Sequence, residues 1–235
     1  MNRAAVWAVA LPLIGLAACT GSLFRSKIAP PTVYMLSAGA GSTAAPLPGA
    51  VIPADLAVLK PKLRTGLETD RIAVLYPDRH LDYFADARWS GPLGDVLQDF
   101  AVQEFHTRAN LRTVNGDASV FPSAYWLEME VTDFQAEYTS AAAAPTVHVQ
   151  ILARVGNSGD RRVLGRFVAN ARQQAAENRL TAIVDAYARA ADAALADIIA
   201  HADDTLANAS QAGKSSDAAG LQKSDSPVSS ANRQH

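Results

Sequence analysis

The chain has 235 residues, of which 49% are hydrophobic and 19% are charged, and its formal net charge is −2 at pH 7. This balance excludes a basic nucleic-acid binder and an acidic disordered chain, so no nucleic-acid partner is expected. Once the two ends discussed below are set aside, about 175 residues remain, which suits a single domain with a substantial core.

Residues 1–18 predict an export signal. Arg3 lies in a short polar start, residues 4–16 form an apolar run, and small residues follow it. The run is shorter than the ~20 apolar residues that a membrane-spanning helix needs. Pro12 and Gly15 also interrupt it. The segment is therefore predicted to be a signal peptide rather than a permanent transmembrane helix.

Cys19 is the only cysteine of the chain and follows directly in the order Leu16-Ala17-Ala18-Cys19. It has no second cysteine for a disulfide or a thiolate metal site. The order resembles the bacterial lipobox, in which the cysteine thiol receives a diacylglyceryl group. We therefore expect acyl chains such as palmitate on Cys19, which anchor the mature protein in a membrane. Because Thr20 and not aspartate follows, the periplasmic face of the outer membrane is the expected location.

A tether and the first strands come next. Residues 19–31 are mostly polar and end in two prolines, which favour an extended chain. β-branched and aromatic residues predict a strand over 32–37, followed by a flexible loop rich in glycine and proline. A short strand is expected over 56–59. Alternating apolar residues predict a strand over 71–76 that returns as a hairpin over 80–84.

A helix is predicted after Trp89. Ser90 is expected to cap it, and the helix is expected to begin near Gly91-Pro92. The residues at helical spacing are Leu93, Val96, Leu97, Phe100, Ala101 and Glu104. All but the last are apolar, so one face of this helix is expected to pack inward.

Three consecutive antiparallel strands are predicted after that helix. Apolar residues alternate along residues 125–138, but their phase shifts after Val131, which indicates a bulge near Thr132-Asp133. The next two strands are expected over 146–155 and 161–172. The sequence Gly-Asn-Ser-Gly-Asp between them is typical of a hairpin turn.

The last predicted element is a long amphipathic helix, with Asn178 as its cap and apolar residues at helical spacing from Leu180 to Ile199. Its polar face is mixed in charge, so packing across the sheet is favoured over the alternative of a membrane-surface helix. The domain is therefore expected to span residues 32–206. Residues 207–235 contain almost no large apolar side chains and are predicted to be a disordered tail.

The sequence gives no indication of an enzyme, a cofactor or a metal. The five histidines do not have metal-ligand spacing, and no nucleophile motif is present. Glu128 and Glu130 lie on the polar side of a predicted strand, where a solvated pair is the ordinary arrangement. His148 and Gln150 are expected to face solvent or a partner. We therefore predict no catalytic, cofactor-binding or metal-binding residues.

Two aromatic residues are candidates for binding a partner. Trp89 precedes the first helix, where either a half-buried aromatic or an interface anchor fits, because exposed tryptophans often anchor interfaces. Tyr34 lies on the first predicted strand, beside the tether.

The order of these features resembles a known family. The lipobox, the strand of Tyr34-Met35-Leu36, a short second strand and the run from Arg71 to Phe105 occur in the order found in ABC-type transport auxiliary lipoproteins related to PqiC. The most specific part is that run, in which Arg-Ile-x-Val begins a strand and Arg-Trp-x-x-Pro-Leu leads into the helix. The resemblance covers residues 19–200.

The resemblance implies both a fold and a setting. The fold is an α/β (α+β) sandwich, a mainly antiparallel sheet with two packed amphipathic helices, similar to the N-terminal domain of TolB. Members of the family are encoded with a permease, an ATPase and an MCE-domain protein. They are thought to support lipid or organic-solute traffic between the two bacterial membranes, and the family is not known for catalytic residues.

These expectations lead to two functions. The first is a non-enzymatic, outer-membrane-anchored auxiliary component that docks on the MCE-domain protein of its transport system, as a single copy or as a homo-oligomer. The alternative is a periplasmic carrier that itself holds a lipid acyl chain in a pocket between the sheet and the helices.

Overall fold

The computed structural model describes residues 30–37, 46, 48–116, 122–140 and 142–224, with side chains as far as residue 212. The predicted signal peptide and Cys19 lie outside the described residues. The chain divides into two units at Pro31, and all the elements below belong to the second unit, residues 32–235.

The described chain forms a nine-stranded sheet and two helices. The strands are β1 (Thr32–Tyr34), β2 (Ile52–Val58), β3 (Lys62–Leu63), β4 (Arg71–Leu75), β5 (Leu81–Trp89), β6 (Leu111–Gly116), β7 (Tyr125–Glu137), β8 (Thr146–Asn157) and β9 (Val163–Gln174). The helices are α1 (Leu93–Arg108) and α2 (Leu180–Ser224).

The long strand β7 organises the sheet. Along one edge it pairs antiparallel with β8, which pairs antiparallel with β9. Along the other edge it pairs in parallel with β2, then β3, then β4. The sheet continues outward from β2 to β6, and from β4 through β5 to β1. The predicted α+β fold is confirmed, in a sheet that mixes long antiparallel pairs with short parallel ones.

Several local predictions are confirmed. Strands β4 and β5 form the expected hairpin, and β7, β8 and β9 are consecutive antiparallel strands. The register of β7 against β8 shifts between Val131 and Asp133, where the bulge was predicted. The two-residue strand β3 and the strand β6 were not predicted. Both are short, and each is defined by its pairing with a distant strand.

Helix α1 buries the predicted face, but its predicted cap is wrong. The helix begins at Leu93, after Pro92, and no side chain caps it. The Leu93 amide instead donates a hydrogen bond to the Thr69 carbonyl oxygen at 3.0 Å. A backbone acceptor from the loop after β3 thus replaces the expected Ser90 hydroxyl.

Helix α2 is confirmed, and it is longer than predicted. It continues to Ser224, so the prediction of disorder from Ala207 is wrong over residues 207–224. Leu206 is fully buried and holds the helix against the domain at this point. The alanines beyond it have the highest intrinsic helix propensity, so a helix that is already nucleated extends through them. Residues 225–235 of the predicted tail lie outside the described residues.

The core lies between the sheet and the two helices. Trp89, Phe134 and Tyr187 meet at its centre, with the Trp89 and Tyr187 rings 5.3 Å apart in an edge-to-face arrangement. The Tyr187 hydroxyl is buried there and donates a hydrogen bond to the Ala73 carbonyl oxygen. Burial raises the pKa of Tyr187 far above its usual value. Among the described helices, none combines the length and the apolarity needed to cross a membrane.

Candidate functional site: the open face of the sheet

Strands β7, β8 and β9 have two unlike faces. On β8, Val149 and Ile151 point toward the helices and are buried, whereas His148, Gln150 and Leu152 point to the opposite side. The two described helices pack on the first side only, because the second carries the polar residues of the alternating pattern. We call this second side the open face.

One end of the open face carries a connected network of charged residues. Glu137 lies at its centre: Arg172 donates a hydrogen bond to Oε2 at 2.7 Å, and His148 Nδ1 lies 3.0 Å from Oε1. The Asn170 side-chain amide lies 3.3 Å from His148 Nε2. His148 is only 7% exposed, so these neighbours cover the imidazole that the sequence predicted to face solvent or a partner.

Asp133, beside the bulge, extends this network. Gln135, which is 1% exposed, donates hydrogen bonds to Asp133 at 3.0 Å and to Glu137 at 3.1 Å. Burial by itself would raise the pKa of both carboxyls. The hydrogen bonds from Gln135 and the nearby Arg64, Arg172 and His148 outweigh burial, so the pKa of each carboxyl is lowered and both are carboxylates at neutral pH.

Asp133, Glu137 and His148 offer ligand atoms within 4.8 Å of one another, a spacing at which three such groups can hold a metal ion. Their existing partners argue against that use. The Arg172 guanidinium contacts Glu137, and that of Arg64 lies 3.4 Å from Asp133. The two arginines already supply the positive charge that a metal would bring. The cluster is best described as an internally paired network.

A second charged cluster lies farther along the same face. Glu128 forms ion pairs with Lys62 and, at 2.7 Å, with Arg154. The hydrogen bond from Lys62 is the largest influence that lowers the pKa of Glu128. Beyond it, the Trp126 indole lies on Gly156, where an added Cβ would be 2.1 Å from the ring. Glu128 is therefore paired, while Glu130 is exposed as predicted.

Two apolar side chains lie between the charged clusters. Leu152 on β8 is directly opposite Val168 on β9. Their exposed fractions are 36% and 58%, which makes them two of the few large hydrophobic residues exposed among the described residues. An exposed cross-strand apolar pair bordered by charges has the composition of a small protein-binding surface.

The residues predicted to bind a partner lie elsewhere. Trp89 is 2% exposed and packs against Phe134 and Tyr187, so its prediction as an exposed anchor is corrected: it is a core residue. Tyr34 is half-buried on the edge strand β1, beside the exposed Val33 and Met35. The structure does not bring Tyr34 to the open face, and its binding role stays a prediction.

The members of this network are far apart in the chain, so no local sequence pattern connects them. Glu137, His148 and Arg172 are neighbours only through the register of β7, β8 and β9. The alternation of polar residues on three consecutive strands was a usable signal. Pairing outward from the predicted turn at residues 156–160 would have placed His148 opposite Val168, four residues from its true partner Arg172, so the register of β8 against β9 decides which residues meet.

The fold and the open face define a class: an α+β domain whose sheet is covered by helices on one side and presents charged clusters with an apolar pair on the other. The chain belongs to the family of ABC-type transport auxiliary lipoprotein components, whose model matches residues 34–200. The membership expected from the lipobox and the run at Arg71 is therefore confirmed.

Solved structures share the fold. A protein of the DUF330 family from Xanthomonas campestris is 22% identical to this chain; the match covers 77% of this chain and 97% of that one, with a TM-score of 0.65. An uncharacterized protein is 13% identical, with 74% of this chain and 99% of that chain covered and a TM-score of 0.54. No curated protein matches the sequence significantly.

Proposed function

We propose that this protein is a non-enzymatic auxiliary component of an MCE/ABC-type system that moves lipids or hydrophobic solutes between the inner and outer membranes. In this role, lipid on Cys19 anchors it to the periplasmic face of the outer membrane. The open face docks on the MCE-domain protein of the same system. Membership of the auxiliary lipoprotein family supports the general role.

The observation that carries the docking step is the exposed Leu152–Val168 pair between two charged clusters. An apolar centre with a polar rim is the usual arrangement of a protein interface. The carboxylates in both clusters are held in place by arginine or lysine, so the pattern of charge is fixed before a partner arrives. A fixed pattern favours specificity and fast association.

The length of the tether is compatible with this role. Residues 19–31 reach at most about 45 Å when fully extended. A domain held on such a tether meets a partner near the membrane at a raised effective concentration, so a modest interface is sufficient.

The test is photo-crosslinking in cells from position 168, followed by identification of the captured proteins. We expect an MCE-domain protein. Val168→Glu should reduce its recovery in a pull-down at least tenfold, because it places a charge in the apolar centre. Val168 is 58% exposed, so the substitution should leave the fold intact.

Val33→Glu is the matched control. Val33 is also 58% exposed but lies on β1, away from the open face. Equal recovery with Val168→Glu and the wild type would contradict docking through the open face. Loss only with Val33→Glu would move the interface to β1 and Tyr34. A crosslink between two copies of the chain would identify the open face as a homo-oligomer contact instead.

Cys19→Ser tests the anchor and should abolish recovery from the membrane fraction.

The alternative function, a lipid carrier, makes a different prediction. A carrier needs an apolar chamber for an acyl chain. Large side chains such as Phe100, Phe134 and Tyr187 fill the described space between the sheet and the helices. Extraction of the purified protein should therefore release no stoichiometric lipid beyond that attached to Cys19. One bound phospholipid per chain would favour the carrier.

A further inference from the structure

A cleft lies at the edge of the domain, where the start of β2 meets the middle of α2. Its volume is about 570 Å³. The wall on the β2 side includes Pro48, Val51 and Pro53, and α2 contributes Ala200 and Ala207. These side chains form the apolar part of the wall, and Asn110, Ser210 and Gln211 add polar groups to it. Val51 is 71% exposed, although it is a large hydrophobic residue.

Asp203 of α2 also lines this cleft and is only 6% exposed. Its Oδ2 accepts a hydrogen bond from the backbone N–H of Asn110 at 2.8 Å. Its Oδ1 is buried and has no hydrogen-bond partner. Burying a carboxylate oxygen without a hydrogen-bond donor costs free energy of folding, so such an atom points to a partner that the chain itself does not supply.

The charge in the cleft has one sign. Among the described residues that line it, the ionisable ones are Asp203 and the adjacent Asp204, and no lysine, arginine or histidine is present. This differs from the open face, where every carboxylate of the charged clusters has a basic partner. Burial and the neighbouring Asp204 both raise the pKa of Asp203, as expected where negative charge lacks compensation.

We propose that this cleft binds a primary ammonium group carried on a short apolar stem. A small rotation of the Asp203 carboxylate would bring the buried Oδ1 to the cleft, where the ammonium would donate a hydrogen bond to it and neutralise the acidic pair. The stem would lie against the proline, valine and alanine side chains. Small-molecule sites typically combine apolar walls with polar groups that fix the orientation of the ligand. This site is independent of the docking function proposed for the open face.

The donor requirement makes the site selective. A quaternary ammonium has the same charge but no N–H group, and it cannot complete the hydrogen bonding of Oδ1. An aminophospholipid headgroup and a free alkylamine both supply the ammonium. The phosphate that accompanies the headgroup distinguishes them, because it places a negative charge near Asp204.

The experiment is an NMR titration of the purified full-length chain in nonionic detergent, following the amides of Gly49, Val51 and Asn110. The probes are n-butylammonium, n-butyltrimethylammonium and glycerophosphoethanolamine. We expect saturable shifts with n-butylammonium and at least tenfold weaker binding of n-butyltrimethylammonium. Tighter binding of glycerophosphoethanolamine than of n-butylammonium identifies a lipid headgroup as the source, and weaker binding identifies a free amine.

Asp203→Asn should weaken n-butylammonium at least tenfold, because the amide nitrogen that replaces one oxygen cannot accept a hydrogen bond. Asp185→Asn removes an equal charge from an exposed position of the same helix and should have no effect. If the spectrum of Asp203→Asn shows loss of folding, Asp204→Asn takes its place, with a weaker but measurable effect expected. Shifts that do not saturate, or that are equal for both ammonium probes, would overturn the proposal.

Discussion

The two faces of strands β7–β9 are built from alternate residues of the same segments, yet different interactions stabilise them. On the helix side, Val149 and Ile151 are buried in continuous apolar contact. On the open face, His148 and Glu137 are joined in hydrogen bonds and ion pairs. Apolar contacts on the first face provide stability, while fixed charges on the second provide a pattern for recognition. Substitutions in neighbouring residues of one strand should therefore have very different effects.

Ile151→Ala and Leu152→Ala test this difference most directly. Ile151 is 2% exposed on the helix side, and its truncation should lower the free energy of unfolding by about 2–5 kcal/mol, through lost burial and a cavity. Leu152 is 36% exposed, and its truncation should cost less than about 1 kcal/mol. Urea denaturation measures both. Equal losses would mean that the open face is covered in the folded protein.

Gly156→Ala probes the packing of the open face itself. An added Cβ would lie 2.1 Å from the Trp126 ring, so the indole must move. We expect a loss of about 1–3 kcal/mol. Trp126→Ala combined with Gly156→Ala should recover part of it, since the clash is removed. Gly91→Ala is the control, because a Cβ added there would lie 4.0 Å from a Val96 methyl group, at an ordinary van der Waals distance.

Acid should weaken the open face specifically. The pKa values of Asp133 and Glu137 are lowered in the folded protein, so their contribution to stability is present above the unfolded pKa and is lost as the pH falls through the folded pKa. The wild type should therefore lose more stability on acidification below about pH 4 than the double variant Asp133→Asn/Glu137→Gln. Parallel pH profiles in thermal denaturation would contradict the paired network.

Asp203 should show the opposite sign and the smallest effect. Its pKa is raised in the folded protein, so the wild type becomes less stable relative to Asp203→Asn as the pH rises above the unfolded pKa. The same variant that loses ammonium binding should thus gain relative stability between pH 4 and pH 7. Thermal denaturation of both proteins across that interval measures the difference, and a constant difference would argue against an uncompensated carboxylate.

The sequence was sufficient where a pattern is local. The β4–β5 hairpin, the bulge after Val131 and the buried face of α1 follow from residues close together in the chain. The sequence was insufficient where an element is defined by a partner that is distant in the chain. Strand β3 exists only through its parallel pairing with β7, and the helix start at Leu93 depends on the carbonyl of Thr69.

Burial was the other quantity that the sequence did not reveal. Trp89 precedes a helix in a segment that also contains charged residues, and this context suggested a half-exposed aromatic. Its position next to Phe134 and Tyr187 depends on β5, β7 and α2 meeting at one point. The burial of Asp203 was missed for the same reason. It lies on α2 among small buried residues, and nothing in the sequence distinguishes it from the exposed carboxylates of that helix.

The placement of β7 also sets the order in which the domain is able to form. Strands β2, β3 and β4 pair in parallel with β7, and the paired residues are more than sixty positions apart in the chain. Strands β7, β8 and β9 instead close by short hairpins. Local pairings form sooner than distant ones. While the ribosome is still making the first half, that half lacks the strand β7 that completes its sheet. The domain therefore cannot fold fully until residue 137 has emerged, and until then the unfolded chain is able to pass through an export channel.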